Sequence, residues 1–132
     1  MHKIWGYRKG MKADESIRLS ALFWCICIWV RLGIASAAFF VARNEDARPW
    51  LGWLSLLLLY PIIGWLDQLA HPARARTIGF SGGTMWWGDL RVVHTTLYAS
   101  AIPLAWYAPH AAFAPLLVDV AFGAMFAILR GR

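Results

Sequence analysis

Two ionisable residues of opposite charge lie deep inside long apolar stretches of the sequence. Arg31 is the thirteenth residue of the stretch 19–42, and Asp119 is the ninth residue of the stretch 111–129. If each stretch crosses a membrane as a helix, a rise of about 1.5 Å per residue places both near the bilayer midplane. An isolated charge there costs roughly 2.5 to 3.5 kcal/mol on insertion scales. We therefore predict an ion pair between Arg31 and Asp119 inside a helix bundle.

A second group of polar residues lies near the start of a third apolar stretch, 86–107. Its members are Asp89, Arg91, His94, Thr95 and Tyr98. On a helix, Arg91, Thr95 and Tyr98 share one face because they are three or four residues apart. Asp89 stands at the helix start, where a carboxylate suits the positive end of the helix dipole. The group is a candidate polar pathway or a hydrogen-bonded network at the helix start.

Histidine and cysteine spacing argues against a metal or haem site. His94 has three possible roles: a neutral hydrogen-bonded histidine, a proton-responsive group or a ligand. No second His or Cys lies nearby at metal-ligand spacing, which favours the hydrogen-bonded histidine. Cys25 and Cys27 are two residues apart, so on a helix they point to different faces and predict neither a disulfide nor a metal site. The other three histidines lie outside the apolar stretches, and we expect no cofactor.

The composition is that of a membrane protein. The chain has 132 residues, of which 60% are hydrophobic and 15% are charged. This is more apolar material than one small soluble core buries. Four helices of about 20 residues use about 80 positions and leave no room for a second folded domain. The predicted fold is all-α: a polytopic membrane protein built as a bundle of four transmembrane helices.

The chain divides into a short tail and this bundle. Residues 1–18 are basic and contain no apolar run, so we interpret them as a juxtamembrane tail and not as a secretory signal. Residues 19–132 form the transmembrane domain. Its predicted spans are about 19–42, 50–66, 86–107 and 111–129.

The second span has features that predict its local structure. Pro61 should kink the helix unless a neighbour satisfies the carbonyl that it leaves free. Trp50, Trp53 and Trp65 lie near the ends of the span, as is typical of anchors at a membrane interface. Residues 67–83 are polar and glycine-rich, and we expect them to form a solvated loop.

The distribution of Lys and Arg predicts the orientation of the bundle. The tail carries five, the loop between spans two and three carries two, and the carboxy terminus carries two, which makes nine. The opposite side has only Arg43 and Arg48. Because positive charge near span ends favours the cytosolic side, both termini are expected in the cytosol.

The second half of the chain resembles a known family. Residues 82–98, GGTMWWGDLRVVHTTLY, are similar to a motif of small multi-span membrane proteins of unknown function encoded by large nucleocytoplasmic DNA viruses and some algae. In that family a glycine-rich loop leads to paired Trp, a small polar residue, Leu-Arg, His and Leu-Tyr. Residues 116–123, LLVDVAFG, resemble a second family feature, an apolar run with one Asp and a following Gly. The resemblance implies no activity, but it draws attention to Arg91, His94 and Asp119.

These observations lead to two hypotheses of different class. The first is a non-enzymatic structural or assembly component of a viral or host-derived membrane, because the sequence contains no catalytic constellation. Its expected partners are the lipid bilayer and, through the membrane faces, a second copy or neighbouring membrane or capsid proteins, with no nucleic acid. The alternative is a proton or small-ion channel or transporter that uses Arg31, His94 and Asp119. A third hypothesis is a pigment- or lipid-binding subunit of a larger membrane complex.

Overall fold

A computed structural model describes residues 21, 23–72 and 90–130, and the statements below concern these residues. They are nearly all helical, and they include no β-strand. The predictions made for the tail 1–18, for Asp89 and for most of the loop 67–83 lie outside the described residues.

The first helical segment runs from Phe23 to Arg43. It begins as a π-helix, Phe23–Ile28, and continues as helix α1, Trp29–Arg43. The segment ends at Asn44, whose side-chain Oδ1 accepts hydrogen bonds from the backbone N–H groups of Asp46 and Ala47, at 3.0 and 3.1 Å. These two N–H groups therefore bond to the Asn44 side chain and not to helical carbonyls, which closes a tight turn. The chain reverses within a few residues as a result.

The second segment contains helix α2, Arg48–Ser55, the 3₁₀ turn Leu56–Leu58, and helix α3, Leu59–Ala70. The distortion expected at Pro61 takes the form of this tighter turn. Pro61 has no N–H to donate to the carbonyl of Leu57, four residues earlier. The backbone N–H of Leu59 bonds to the carbonyls of Leu56 and Leu57 instead, which gives the tighter turn.

The second segment also corrects a predicted boundary. We expected a solvated loop from Asp67, but α3 continues to Ala70 and is closed by a 2.9 Å bond from the His71 N–H to the Asp67 carbonyl. The apolar stretch ends before the polar residues Asp67 and Gln68, but polar residues do not end a helix. The helix ends later, at Ala70, because His71 precedes Pro72.

The last two helices form an antiparallel hairpin. Helix α4 spans Arg91–Tyr107, and helix α5 spans Phe113–Arg130. A single 3₁₀ turn, Pro109–Ala111, joins them. The turn is short, as the sequence predicted.

The four segments pack side by side around a core of small side chains. Helix α1 packs against α5, and α4 packs against α2, α3 and α5. The core is rich in alanine: Ala35, Ala38, Ala42, Ala101, Ala105 and Ala112. Small residues let helices approach closely, which is how helices associate in lipid.

The outer surface of the described helices carries many large apolar side chains, which suits a lipid environment. Large hydrophobic side chains are exposed on several helices, among them Trp29, Phe40, Leu57, Ile63 and Leu129. Three helices are long and apolar enough to cross a membrane: Trp24–Arg43, Arg48–Ala70 and Pro109–Leu129. The described part of the remaining helix, α4, has 17 residues.

Candidate functional site

The two midspan charges meet inside the bundle. Arg31 of α1 donates from Nη1 to Oδ2 of Asp119 on α5, at 3.1 Å. The Asp119 side chain is fully buried, and the Arg31 side chain is 17% exposed. The carboxylate therefore depends on protein donors, because no water reaches it from outside.

His94 of α4 is the second partner of the same carboxylate. Its Nδ1 is hydrogen-bonded to Oδ1 of Asp119, and the imidazole is buried. Since an ionised carboxylate only accepts hydrogen bonds, Nδ1 carries the proton and donates. Arg31 Nη1 and His94 Nδ1 lie 3.4 Å apart because they converge on one carboxylate. We call these three residues the charge triad.

Trp65 of α3 covers the charge triad from the fourth side. Its ring centroid lies 5.6 Å from that of His94 and 5.8 Å from the guanidinium carbon of Arg31. It also packs edge-on against Tyr98 at 5.1 Å. Trp65 is half-buried and packs against the core, so one side of its ring has partners within the bundle in addition to the interface position that the sequence predicted.

Gly123 provides room beside the guanidinium. It lies one helical turn after Asp119 and is buried. A Cβ at this position would lie 3.6 Å from Ile28 Cδ1 and 4.0 Å from Arg31 Nη1, which are ordinary contacts. Alanine therefore fits at position 123, whereas a branched side chain would push against Arg31.

Of the other predicted site residues on α4, two are buried one turn to either side of His94. Arg91 is buried one turn before His94, and Tyr98 is buried one turn after it. Thr95 is not joined to the triad, because its hydroxyl donates to the Arg91 carbonyl of its own helix at 2.6 Å. Gln68 of α3 has a buried side-chain oxygen that accepts no hydrogen bond from the described residues.

The opposite half of the bundle, toward the Asn44 turn, has an apolar core. Among the described residues, the one buried polar side chain there is that of Ser55, which donates to the Gly52 carbonyl at 2.6 Å. Alanine and leucine side chains form most of the rest, with Val41, Ile102 and Phe113 packed against them. The buried polar groups are thus concentrated at the triad and on its Arg91 side.

In the charge triad, the buried negative charge of Asp119 is neutralised by its partners. One carboxylate receives a guanidinium and an imidazole, and each of the three groups comes from a different helix. In the described part of the chain, no group of three His, Cys, Asp or Glu side chains is placed to hold a metal ion.

The similar depth of Arg31 and Asp119 in their spans predicts that they are neighbours, and His94 has a similar depth in its own span. His94 lies only two to three residues from the middle of the stretch 86–107, so the same argument of depth places it at the level of Asp119. Trp65 gave no such signal, because its place in the bundle depends on helix packing.

Comparisons with protein family models, with curated proteins and with solved structures find no match to this chain.

Proposed function

We propose that the chain is a small integral membrane protein with four spans and with both termini in the cytosol. Three helices of sufficient length and apolarity support this proposal. Helix α4 forms a hairpin with α5 and packs in the same bundle, which supports counting it as the fourth span. The nine-to-two distribution of basic residues supports the orientation. Fluorescent or alkaline phosphatase fusions at either terminus test it, since active phosphatase at a terminus would contradict the cytosolic assignment.

We also propose a non-enzymatic role, as a structural or assembly component of a membrane. The observation that carries this proposal is the charge triad, where helices α1, α4 and α5 are tied to one carboxylate under a tryptophan of α3. Such a group fixes which helices meet and at what register. A viral or host-derived membrane is part of the proposal, and it rests on the resemblance of residues 82–98 and 116–123.

A packing role of the charge triad and a chemical role predict different effects of replacing its residues. Removing one member of a buried charged group leaves the others uncompensated and costs about 3 to 5 kcal/mol, whereas replacing the whole group by apolar residues of similar volume is often neutral. A protein that uses its charges only for packing should therefore tolerate their joint replacement. A protein that uses them for chemistry should not.

The experiment compares single and joint replacements. We expect Arg31→Met and Asp119→Leu each to lower yield and thermal stability in detergent, and the triple change with His94→Phe to restore both. His94 must be included, because without Asp119 its buried N–H has no acceptor. Arg43→Met is the matched control, since Arg43 is an exposed arginine at the end of α1. If the triple variant is stable but loses membrane assembly, packing is not the role of the triad.

Assembly through the membrane faces is the second part of this proposal. Many large apolar side chains are exposed on the described helices, so a second copy or a neighbouring membrane or capsid protein would contact the bundle within the bilayer. Crosslinking in membranes, followed by mass determination in detergent, tests for a homo-oligomer. A monomer under both conditions would contradict self-assembly.

A proton or small-ion pathway is a second candidate, favoured by the direct contact of His94 with Asp119. An imidazole and a carboxylate that share a hydrogen bond can exchange a proton. The apolar core toward the Asn44 turn opposes a continuous path. Purified protein in liposomes decides between the two: flux that depends on pH between 5 and 8 and is abolished by His94→Ala supports the pathway, and tight liposomes contradict it.

A further inference from the structure

A cleft lies at the end of the bundle opposite Arg91, between the start of α2 and the end of α4. Its volume is about 360 Å³, which falls within the range of sites that bind small molecules. Its walls include Glu45 and Arg48 on one side and Trp106 and Pro109 on the other, with Gly52 between them. The charge triad contributes nothing to this cleft.

The cleft depends on a close contact between two helices. A Cβ at position 52 would lie 2.7 to 2.9 Å from three ring atoms of Trp106, so only glycine lets this indole rest on the backbone of α2. Trp53 holds the indole from the side, with ring centroids 5.3 Å apart and planes at 71°. Trp106 is 45% exposed and presents the rest of its ring to the cleft.

The two charged residues of the cleft are not paired with each other. Arg48 donates from Nε to the Ala42 carbonyl at 2.8 Å, which fixes the guanidinium at the cleft wall. Its terminal nitrogens make no hydrogen bond or ion pair to any described residue. Glu45 is exposed, and within the same described set its carboxylate has no ion pair. The cleft thus offers one anchored cation donor and one separate anion.

The position of the cleft indicates which kind of molecule binds its two charged residues. The cleft lies at the ends of apolar helices and among exposed aromatic residues, namely Trp50, Trp53, Trp106 and Tyr107. Tryptophan and tyrosine concentrate at the level of the lipid headgroups. The group nearest to the cleft in a membrane is therefore a phospholipid headgroup.

We propose that this cleft binds the zwitterionic headgroup of a phospholipid such as phosphatidylcholine or phosphatidylethanolamine. The phosphate accepts hydrogen bonds from the terminal nitrogens of Arg48. The ammonium group lies between the carboxylate of Glu45 and the face of Trp106, which attracts cations. An anionic headgroup satisfies Arg48 but is repelled by Glu45, so the cleft favours a neutral dipolar lipid. This inference rests on the proposed insertion of the chain in a membrane.

The test measures binding of short-chain lipids to the detergent-purified full chain by isothermal titration. The probes are dihexanoyl phosphatidylcholine, dihexanoyl phosphatidylethanolamine and the anionic dihexanoyl phosphatidylglycerol, all below their micellar concentrations. We expect each zwitterionic lipid to bind about tenfold more tightly than the anionic one, which equals about 1.4 kcal/mol. Equal binding of all three would overturn the proposal.

Two variants assign the binding to the cleft. Arg48→Gln should weaken binding of the zwitterionic lipids about tenfold. Glu45→Gln should abolish the preference for zwitterionic over anionic lipid. This variant keeps the test valid even if Arg48→Gln unfolds the chain by breaking the Arg48 bond to Ala42, because Glu45 makes no such bond. Arg43→Gln is the control, since Arg43 lies at the same end of the bundle but packs on Phe39. Unchanged binding in Glu45→Gln would contradict the inference.

Two further measurements test whether the ligand is a soluble molecule and whether the chain inserts in a membrane. Glycerophosphocholine carries the same headgroup without acyl chains, and we expect it to bind at least tenfold more weakly than the lipid. Equal binding would assign the cleft to a soluble molecule and overturn the lipid assignment. Flotation of the protein with membranes after carbonate washing tests insertion independently: a chain that floats but shows no headgroup preference contradicts this inference alone.

Discussion

Arg31 and Asp119 are 88 residues apart in the chain and 3.1 Å apart in the bundle, at the Nη1 and Oδ2 atoms. The carboxylate of Asp119 is fully buried and is also bound by His94 through its other oxygen. One acidic side chain thus neutralises an arginine and positions a histidine, each on a different helix. The stability of the bundle should depend on Asp119 more than on either of its partners.

Replacing Asp119 by Asn tests the role of its charge. Asparagine has nearly the same size, so packing is preserved while the guanidinium of Arg31 loses its counter-charge. We expect the free energy of unfolding to fall by about 3 to 5 kcal/mol, because an uncompensated cation remains in the interior. Denaturant unfolding in mild detergent, followed by tryptophan fluorescence, measures this. A loss below about 1 kcal/mol would mean that water or another group already compensates Arg31.

Two replacements of His94 distinguish its nitrogen atoms. Asparagine places an N–H donor near the position of Nδ1, whereas glutamine places it near the position of Nε2. Because Nδ1 is the atom bonded to Asp119, His94→Asn should be the milder change, and His94→Gln should cost about 1 to 3 kcal/mol for an unmatched hydrogen bond. Melting temperatures of the two purified variants check the order. The reverse order would contradict the assigned bond.

Gly52→Ala should destabilise the bundle by overpacking. The added methyl group would lie 2.7 Å from the Trp106 ring, and forced contacts of this kind cost about 1 to 3 kcal/mol. Combining it with Trp106→Leu should recover part of the loss, since the smaller side chain makes room. Gly64→Ala is the control, because nothing lies within 4 Å of a Cβ there. If both alanine variants melt alike, the close contact of α2 with Trp106 is wrong.

The contact between Arg31 and Asp119 could be predicted from the sequence because one physical quantity decides it. The cost of a charge in hydrocarbon, combined with depth along each span, brought Arg31 and Asp119 together before any packing was known. Hydropathy predicted four spans, and three of these segments are helices long and apolar enough to cross a membrane. These quantities depend on residue type and position alone.

The features that sequence reasoning missed depend on how helices pack. The position of Trp65 beside the end of the apolar stretch predicted an interface anchor, but it did not predict the contacts of this ring with His94 and Arg31. The contact of Gly52 with Trp106 joins residues 54 positions apart, and nothing in either local sequence predicts it. Residue type does not set the rotation of each helix about its own axis, so these contacts required the structure.

A double-mutant cycle on Arg31→Met and Asp119→Leu tests the central claim most directly. The free energies of unfolding of the parent, the two single variants and the double variant are measured in the same detergent. If the two residues are bonded in the interior, the double variant loses less stability than the sum of the singles, with a coupling above about 1 kcal/mol. Losses that add within about 0.5 kcal/mol would show that the residues act independently and would contradict the charge triad.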